Sequence, residues 1–388
     1  MRALFVGLGM LLSIAKVNAI GTFVDSNTDQ MDLGQAQEIN ARAMALGGSY
    51  TGVANDFSAL YYNAAGLSSV KQHELTFSLN QNNLNNQGKY TGFPSSGMDV
   101  QNLGIQSLGY LWPIPTTRGG LTFAFGYFRP RNFADALTFI DPQTKTLGQY
   151  WYKSEGYLDQ YRFGFGLDLS PDVSLGLATS YTSGEQQIQY FDTGNVRMLR
   201  SYSGWNLEPS LMIKVTPLFK LGASLVIWDA ANVKDVYEEQ GVKNSEDNFF
   251  VQNPYQLKLG LAYQGADFLL SADYKANFWS QYKYALQNVD ILNDSGYSNE
   301  NIYSLGAEKY FKPLNTILRA GYTYSNVLDQ GYTPTYNRHR ASVGLGFLLS
   351  GSVSIDLGYS YAFWEEQDEK IYIKNQEQRG MITFGYRY

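Results

Sequence analysis

The last nine residues of the chain alternate between apolar and other residues and end on an aromatic side chain. One face of this extended segment carries Ile382, Phe384, Tyr386 and Tyr388. Because side chains of a strand alternate between its two faces, one face is suited to an apolar phase and the other to a polar one. A final aromatic residue on the apolar face is typical of the strand that closes a bacterial outer-membrane barrel. A half-buried strand of a water-soluble sheet has the same pattern, so the rest of the chain must decide.

The alternation recurs along the chain from His73 onward. Alternating stretches bounded by turn residues predict fourteen strands. Single-chain bacterial barrels have an even number of strands, and their lipid-facing apolar residues alternate with polar residues that face the lumen. The predicted strands span residues 73–84, 99–111, 119–130, 157–169, 173–190, 196–215, 218–228, 253–264, 267–283, 300–311, 315–326, 337–349, 352–364 and 377–388.

The connections between these strands alternate between short and long. Short connections contain turn-forming residues, as in Ser170-Pro171-Asp172, whereas the connections at 131–156, 229–252 and 284–299 are long and polar. A membrane barrel is expected to have tight periplasmic turns and longer extracellular loops, and a soluble sandwich has no reason to keep this order. We therefore predict an all-β fold: a 14-stranded antiparallel transmembrane β-barrel with both chain ends on the periplasmic side.

The N-terminus has the features of a secretory signal. Arg2 supplies a positive charge, residues 4–14 form an apolar stretch, and Val17-Asn18-Ala19 is a small-x-small cleavage site. The apolar stretch is too short to span a membrane, and no later run reaches about 18 apolar residues. These features predict export to the outer membrane of a Gram-negative cell, without helical membrane spans.

Composition argues against several classes of function. The chain has no cysteine and two histidines, His73 and His339, which leaves little material for disulfides, metal sites or catalytic triads. We expect no metal, cofactor or catalytic residue, because His73 lies at the base of the first strand and His339 faces lipid. A net charge of −6 argues against a nucleic-acid partner. The 31 tyrosines and 22 phenylalanines fit the aromatic girdles of a membrane barrel.

Residues 36–70 do not follow the strand pattern. Gln37 to Ala45 has a helical composition, and Asp56 is a candidate N-cap for a short helix that runs to Tyr62. The segment is too short and too rich in glycine and alanine to form its own core, and the barrel lumen is the nearest surface. We therefore predict a signal peptide over 1–19, an N-terminal plug (hatch) over 20–72 and a transmembrane β-barrel over 73–388.

A motif lies at the end of the predicted plug. Residues 54–56 read Ala-Asn-Asp, and residues 62–67 read Tyr-Asn-Ala-Ala-Gly-Leu directly before the first strand. The segment resembles the plug of the long-chain fatty acid transporter family of outer-membrane barrels, which includes the toluene-channel proteins. That family has proline where this chain has Ala64. Residues 63–67 could also simply end a helix, with Gly66 in a left-handed conformation, and the two interpretations are compatible. The plug-motif residues are Asn55, Asp56, Tyr62, Asn63, Ala64, Ala65 and Gly66.

The faces opposite the apolar ones should line the lumen. Many of these inward positions are glycine, either because a plug presses against the wall or because glycine relieves strand curvature. They are Gly164, Gly166, Gly176, Gly222, Gly260, Gly306, Gly321, Gly344, Gly346 and Gly358. By the same parity Trp228, Trp279 and Trp364 point inward near the extracellular end, which suggests an apolar vestibule.

Charged residues also fall on the inward faces. They form either an ion-pair network that ties the plug to the wall or, for one or two bases, a contact with a ligand carboxylate. The candidate ligand-binding bases are Arg162, Lys258, Arg319, Arg338 and Arg340; Lys275 is a further inward base, and Glu208, Asp273, Glu308 and Asp356 are the opposing acids.

The resemblance implies passive uptake of hydrophobic compounds, foremost long-chain fatty acids or aromatic hydrocarbons. In that family the ligand binds at the outer face, enters an apolar lumenal pocket and leaves sideways into the membrane as the plug shifts. Expected partners are outer-membrane lipid and lipopolysaccharide, a hydrophobic small molecule, and the barrel-assembly machinery during insertion. The alternative is a secretion-associated or structural barrel of the same superfamily without transport. An open porin fits less well because a plug blocks water-soluble solutes.

Overall fold

The computed structural model describes residues 37–138, 152–190, 196–281, 283–286, 289–291, 299–327, 336–349, 351–367 and 371–388. The predicted signal peptide and the part of the predicted plug before residue 37 lie outside these ranges. From Glu74 onward, the strands belong to one antiparallel sheet that closes on itself.

The sheet contains nineteen strands within the described ranges. They are β1 (Glu74–Tyr90), β2 (Ser96–Ile114), β3 (Leu121–Asn132), β4 (Asp135–Leu137), β5 (Tyr152–Asp168), β6 (Val173–Tyr190), β7 (Val196–Lys214), β8 (Phe219–Val226), β9 (Trp228–Glu239), β10 (Val242–Gln252), β11 (Gln256–Gln264), β12 (Phe268–Asn277), β13 (Lys283–Leu286), β14 (Val289–Ile291), β15 (Glu300–Phe311), β16 (Thr316–Val327), β17 (Tyr336–Leu348), β18 (Val353–Gln367) and β19 (Ile371–Arg387).

These strands make a wall of fourteen, as predicted, because several of them continue one another. Residues 210–214 of β7, next to the short turn, pair with β8, and residues 196–207 of β7 pair with β9. β8 and β9 therefore form one continuous wall strand. In the same way β10 continues into β11, β12 into β13 and β14 into β15. The short β4 is a side pairing on β5.

The C-terminal strand closes the barrel. β19 pairs with β1 along its whole length, from Glu74 opposite Arg387 to Tyr90 opposite Ile371. Beyond it, the Tyr388 amide donates to the His73 carbonyl at 3.1 Å, and the two rings stack with centroids 5.2 Å apart. The final aromatic residue therefore holds the two ends of the wall together.

Large apolar side chains cover the outside of the wall. Phe125, Leu305 and Val343 expose 52%, 59% and 56% of their surface, whereas the residue that precedes each of them faces inward and is buried. Alternation of this kind gives a barrel an apolar outer belt. None of the described helices is long and apolar enough to cross a membrane.

The wall extends further than the sequence pattern predicted. The expected loop at 229–252 is a β-hairpin of β9 and β10, with a turn at Gln240 and Gly241 where φ is 51° and 80°. Its outer face carries exposed polar residues such as Asn232 and Lys234, because an extension beyond the membrane needs no apolar outer face, and so the pattern of outward apolar residues disappears. Of the other two predicted long loops, residues 139–151, 287–288 and 292–298 lie outside the described residues, and the remainder includes β4, β13 and β14.

The predicted plug lies in the lumen. From residue 37 it comprises α1 (Ala41–Ala45), α2 (Ala59–Tyr62) and a 3₁₀ helix (Ala64–Ser69). Its apolar side chains are buried, and Leu46, Phe57 and Leu60 among them are 0–1% exposed. The core of the protein is therefore the contact between plug and wall, while the outside of the barrel stays apolar and exposed.

Candidate functional site

Asn63 organises the end of the plug. Its side-chain amide donates to the carbonyls of Thr51 at 3.0 Å and Leu211 at 3.1 Å, which joins two parts of the plug to β7. Its Oδ1 accepts from the Ala65 amide at 3.1 Å and so caps the 3₁₀ helix. A side chain with both donor and acceptor groups is needed for all three contacts.

Asp56 stabilises the turn before α2 but is not its N-cap, contrary to the prediction. The N-cap is Ser58, whose backbone amide donates to Asp56 Oδ1 at 3.0 Å. The Tyr50 hydroxyl and Arg42 Nη1 donate to Asp56 Oδ2, and Arg42 Nη1 also donates to Asn55 Oδ1 at 2.8 Å. Asn55 and Asp56 of the motif thus hold Arg42 of the plug.

The motif's small residues allow close contacts. Asn63 is the C-cap of α2, so a helix does end here, but Gly66 does not have the left-handed conformation expected for it. A Cβ on Gly66 would lie 2.0 Å from the Ala54 carbonyl oxygen. Tyr62 connects the motif to the start of the described plug, because its hydroxyl accepts a hydrogen bond from the Ile39 amide at 3.4 Å. Ala64, where the family pattern has proline, lies with its carbonyl against the wall at Gly166.

The inward glycines are contact points for the plug. A Cβ at Gly176 would lie 2.1 Å from the Ala65 nitrogen, closer than real atoms approach. Gly346 differs, because it faces the guanidinium of Arg319. Each of the other predicted glycines meets a plug residue: Gly164, Gly166, Gly222, Gly260, Gly306, Gly321, Gly344 and Gly358. These contacts support close approach of the plug over the curvature interpretation.

Arg162 and Lys258 share one carboxylate. Arg162 Nη2 donates to Glu208 at 2.6 Å, and Lys258 Nζ donates to the other oxygen at 2.7 Å. Lys258 Nζ also donates to the Tyr61 carbonyl at 3.3 Å, and the Arg162 guanidinium lies 5.2 Å from the Tyr61 ring centroid. Both predicted bases face inward, and both have a wall acid and the plug as partners.

Arg319 is held in the same manner. It donates to Glu308 at 2.8 Å and to Asp356 at 2.6 Å. Glu308 also accepts from Arg42 of the plug at 3.0 Å. Burial alone lowers the pKa of Arg42, but Glu308 raises it well above its ordinary value. The plug and the wall therefore share one charged network at this point.

Arg338 and Arg340 belong to a third group, the Glu38 cluster, which comprises Glu38, Arg338, Arg340, Glu377 and Arg379. Arg340 and Arg379 each bind one oxygen of Glu38 in the plug, Arg379 at 2.7 Å, and Arg338 pairs with Glu377. Burial raises the pKa of Glu38, but the two guanidiniums outweigh it and bring the pKa to about 2. The sequence interpretation missed Arg379, although it has the inward parity of Thr383 on β19.

The three tryptophans predicted to point into the lumen differ in how the structure places them. Trp364 is buried and faces inward, with the Arg338 guanidinium 4.4 Å from its ring centroid. Trp279 is also buried, but it lies in a 3₁₀ turn (Trp279–Gln281) after β12, so strand parity does not explain its position. The side chain of Trp228 lies outside the described residues.

The wall is interrupted between β2 and β3. Within the described ranges, their paired ladder ends at Ser107 opposite Phe128, although β2 continues upward to Ser96. At this level Gln106 is a bulge in the pairing of β2 with β1, and its side-chain amide donates to the Arg129 carbonyl at 2.7 Å. We call the separation of β2 and β3 above this point the wall break.

A bulge in β3 accompanies the wall break. Phe128 pairs with Gln160 and Arg131 with Leu158, so two residues of β3 oppose one of β5. One of the two is Pro130, which has no amide to donate to a neighbouring strand. The Pro130 carbonyl accepts from the Gln37 amide of the plug at 2.7 Å. The sequence interpretation ended the third strand at residue 130 and did not foresee the break.

Apolar side chains lie on the lumenal side of the wall break. Below it, Phe128 is fully buried and stacks on Phe57 of the plug, with centroids 5.2 Å apart. Above it, Phe133 stacks on Tyr202 within a second buried cluster, completed by Leu158, Val233 and Val251. On the lipid side Leu103 exposes 74% of its surface. The wall break thus lies between two apolar lumenal clusters and the apolar belt.

Solved structures share this architecture. A toluene transporter of Pseudomonas putida, TodX, matches with a TM-score of 0.67 and 15% identity over 92% of this chain and 99% of that chain. A Pseudomonas aeruginosa FadL homologue gives 0.69 and 14% over 89% and 98%, and the Ralstonia pickettii toluene transporter TbuX gives 0.66 and 15% over 92% and 100%. The chain has the FadL-type barrel fold. No protein-family model matches the sequence, and no curated protein does.

The fold predicted from the strand pattern is therefore confirmed. With a closed wall of fourteen strands and an apolar outer belt, the chain is a membrane-spanning barrel of the outer-membrane type.

Proposed function

We propose that this FadL-type barrel is a channel for passive uptake of hydrophobic compounds, which leave the lumen through the wall break. The observation that carries the proposal is the end of the β2–β3 ladder at Phe128, with apolar clusters on its lumenal side and the apolar belt outside. A hydrophobic molecule gains free energy by staying in contact with apolar surface along this path. The short-turn end of the barrel then faces the periplasm.

The names of the similar structures support the substrate class. Two are toluene transporters and one is a FadL homologue, so aromatic hydrocarbons and long-chain fatty acids are the compounds to test. The plug fills the lumen at the level of the inward glycines, which argues against free diffusion of water-soluble solutes. The proposal includes no catalytic step.

The test is uptake of labelled toluene and labelled oleate by Gram-negative cells that lack their own outer-membrane channels for these compounds. Cells that produce the protein should accumulate at least one probe faster than cells with an empty vector. The matched variants are Pro130→Ala, which keeps the bulge, and deletion of Pro130, which restores one-to-one pairing of β3 with β5 and keeps the parity of Arg131. We expect only the deletion to reduce uptake. If neither probe is taken up faster than by control cells, the transport proposal is wrong and a structural or secretion-associated barrel becomes the better hypothesis.

A further inference from the structure

The apolar belt is short at the seam where β1 pairs with β19. On β1 the outward apolar positions run only from residue 75 to residue 79, because the next outward residues are Gln81 and Asn83. On β18, the strand next to β19, the outward apolar positions run from residue 353 to residue 363. A transmembrane strand crosses the apolar core with about 9–11 residues. Gln81 and Asn83 therefore lie at membrane depth, where an outward residue of a barrel is ordinarily apolar.

The strand β19 continues this gap in the belt. Its outward apolar residues, counted from the C-terminus, end at Ile382, and the next outward residues are Gly380 and Gln378. In the ladder of the seam, Gln81 lies opposite Gly380, and Asn83 lies opposite Gln378. A Cβ on Gly380 would have no atom within 4 Å, so the glycine leaves open space on the outer surface. We call Gln81, Asn83, Gln378 and Gly380 the amide notch.

The amide notch carries hydrogen-bonding groups that lipid cannot satisfy. Gln81 and Gln378 are exposed, and the Oδ1 atom of Asn83 has no hydrogen-bond partner within the described ranges. Further toward the long loops, Asn85 donates to Asp99 at 2.6 Å, so the polar surface beyond the notch has a partner within the chain. Acyl chains offer neither donors nor acceptors, and a polar group without a partner in an apolar phase costs free energy. The notch is therefore suited to a partner that brings hydrogen-bonding groups to the same depth.

A second copy of the chain meets this requirement. A side-chain amide has two donors and an acceptor, so two amides can pair with each other without a charged group. A two-fold axis along the membrane normal, placed at the seam, brings β1 of one copy to face β19 of the other. Gln81 then faces Gln378 of the partner subunit, and the symmetry repeats the contact. The small Gly380 allows the two surfaces to approach closely.

Large apolar side chains flank the amide notch on both sides. Leu103 on β2 exposes 74% of its surface, and Tyr359 and Phe363 on β18 expose 45% and 46%. The same two-fold axis that brings β1 to face β19 also brings β2 to face β18, because these strands lie outside β1 and β19 in the wall. The apolar side chains would then pack around the amides and keep lipid away from them.

We infer that two copies of this chain associate side by side in the membrane through the amide notch. None of the four residues of the notch is charged, so the phosphate groups of lipopolysaccharide have no base to bind within it. The inference goes beyond the proposed function, because the contact includes neither the lumen nor the wall break.

The first test is cross-linking of the full chain, which has no cysteine of its own, in membranes of a Gram-negative host. Gln81→Cys, treated with a short bifunctional methanethiosulfonate reagent, should give a product of twice the mass of the chain, because Asn83 and Gln378 still hold the two copies together. The matched control is Leu261→Cys on β11, which is 41% exposed in the belt on the side of the wall away from the seam. This control should stay a single chain.

The second test measures the strength of association by counting photobleaching steps in a supported bilayer. Each chain carries one dye at Asp172→Cys, in an exposed short turn. Gln81→Leu combined with Gln378→Leu should weaken association about tenfold or more, because the two-fold axis makes each lost hydrogen bond count twice. This double variant completes the apolar belt, so the barrel should fold.

The outcomes decide the inference independently of uptake. It is overturned if Gln81→Cys gives no more cross-linked product than Leu261→Cys, or if the product contains another protein. Association of the double leucine variant as tight as that of the parent would also overturn it, because the amides would then not form the contact. Uptake of toluene and oleate by the parent tests the proposed function separately.

Discussion

Replacing Asp273 by alanine should release the plug from one side of the wall. Asp273 is 5% exposed on β12, and one of its oxygens accepts from the backbone amides of Tyr50 at 3.0 Å and Thr51 at 2.8 Å. The other oxygen accepts from the Ser49 hydroxyl at 3.4 Å. Alanine removes every acceptor and leaves the two plug amides buried without partners.

The size of the effect follows from the two short contacts. A hydrogen bond to a charged group contributes about 1.5–3 kcal/mol, so two of them contribute about 3–6 kcal/mol to keeping the plug in place. The lower figure already shifts the equilibrium between seated and displaced plug by about a hundredfold. Asp273→Asn retains one acceptor oxygen and should cost roughly half as much.

The assay is single-channel conductance in planar bilayers, where a displaced plug opens the lumen to ions. We expect frequent open events for Asp273→Ala, fewer for Asp273→Asn, and none beyond the parent level for Asp267→Ala. The last is the matched control, because Asp267 lies in an exposed turn and pairs with Lys312 at 2.9 Å, away from the plug. If Asp273→Ala folds and conducts like the parent, the Asp273 contacts do not hold the plug.

Other perturbations test the same structure. The pKa of Glu38 is lowered from 4.5 to about 2, so its contacts should stabilise the plug fully above about pH 4.5 and be lost as the pH falls to about 2. Channel conductance should therefore rise as the pH falls from about 4.5 to about 2. The rise should be smaller for Glu38→Gln, which has no carboxylate to protonate at this position. Gly176→Ala places a Cβ 2.1 Å from the Ala65 nitrogen and should increase conductance, whereas Gly380→Ala, with nothing within 4 Å, should not; equal behaviour of the two would refute the glycine contacts. A tag inserted at Asn244 should be reachable from outside intact cells and one at Asp172 should not, and the reverse result would invert the proposed orientation.

Much of the wall was predictable because a membrane imposes a strict period on each strand. Parity alone placed Arg162, Arg319 and Arg340 in the lumen, where they are indeed buried. The hairpin of β9 and β10 was missed because that period disappears outside the apolar belt. The wall break was missed because a bulge adds one residue without changing the pattern on either side of it.

The partners of the lumenal bases could not be predicted in the same way. Glu38 lies 302 residues from Arg340 and 341 from Arg379 in sequence, and their contact depends on how the plug lies in the closed barrel. A helical composition does not say which side of the lumen each plug residue faces. The motif around Asn63 did indicate a plug, but its hydrogen bonds to Thr51 and Leu211 emerge only from the folded chain.

The most direct measurement of the central claim is uptake through a wall break that can be closed and reopened. The chain has no cysteine, so Gly104→Cys with Arg129→Cys supplies a unique pair across the break, where a Cβ at Gly104 would lie 3.3 Å from Arg129 Nη1. Cells producing this double variant are treated with a bifunctional methanethiosulfonate reagent and then with a reductant. Uptake of whichever labelled probe the parent admits should fall on cross-linking and return on reduction, while the single variants stay constant. Undiminished uptake through a fully cross-linked break would contradict passage between β2 and β3.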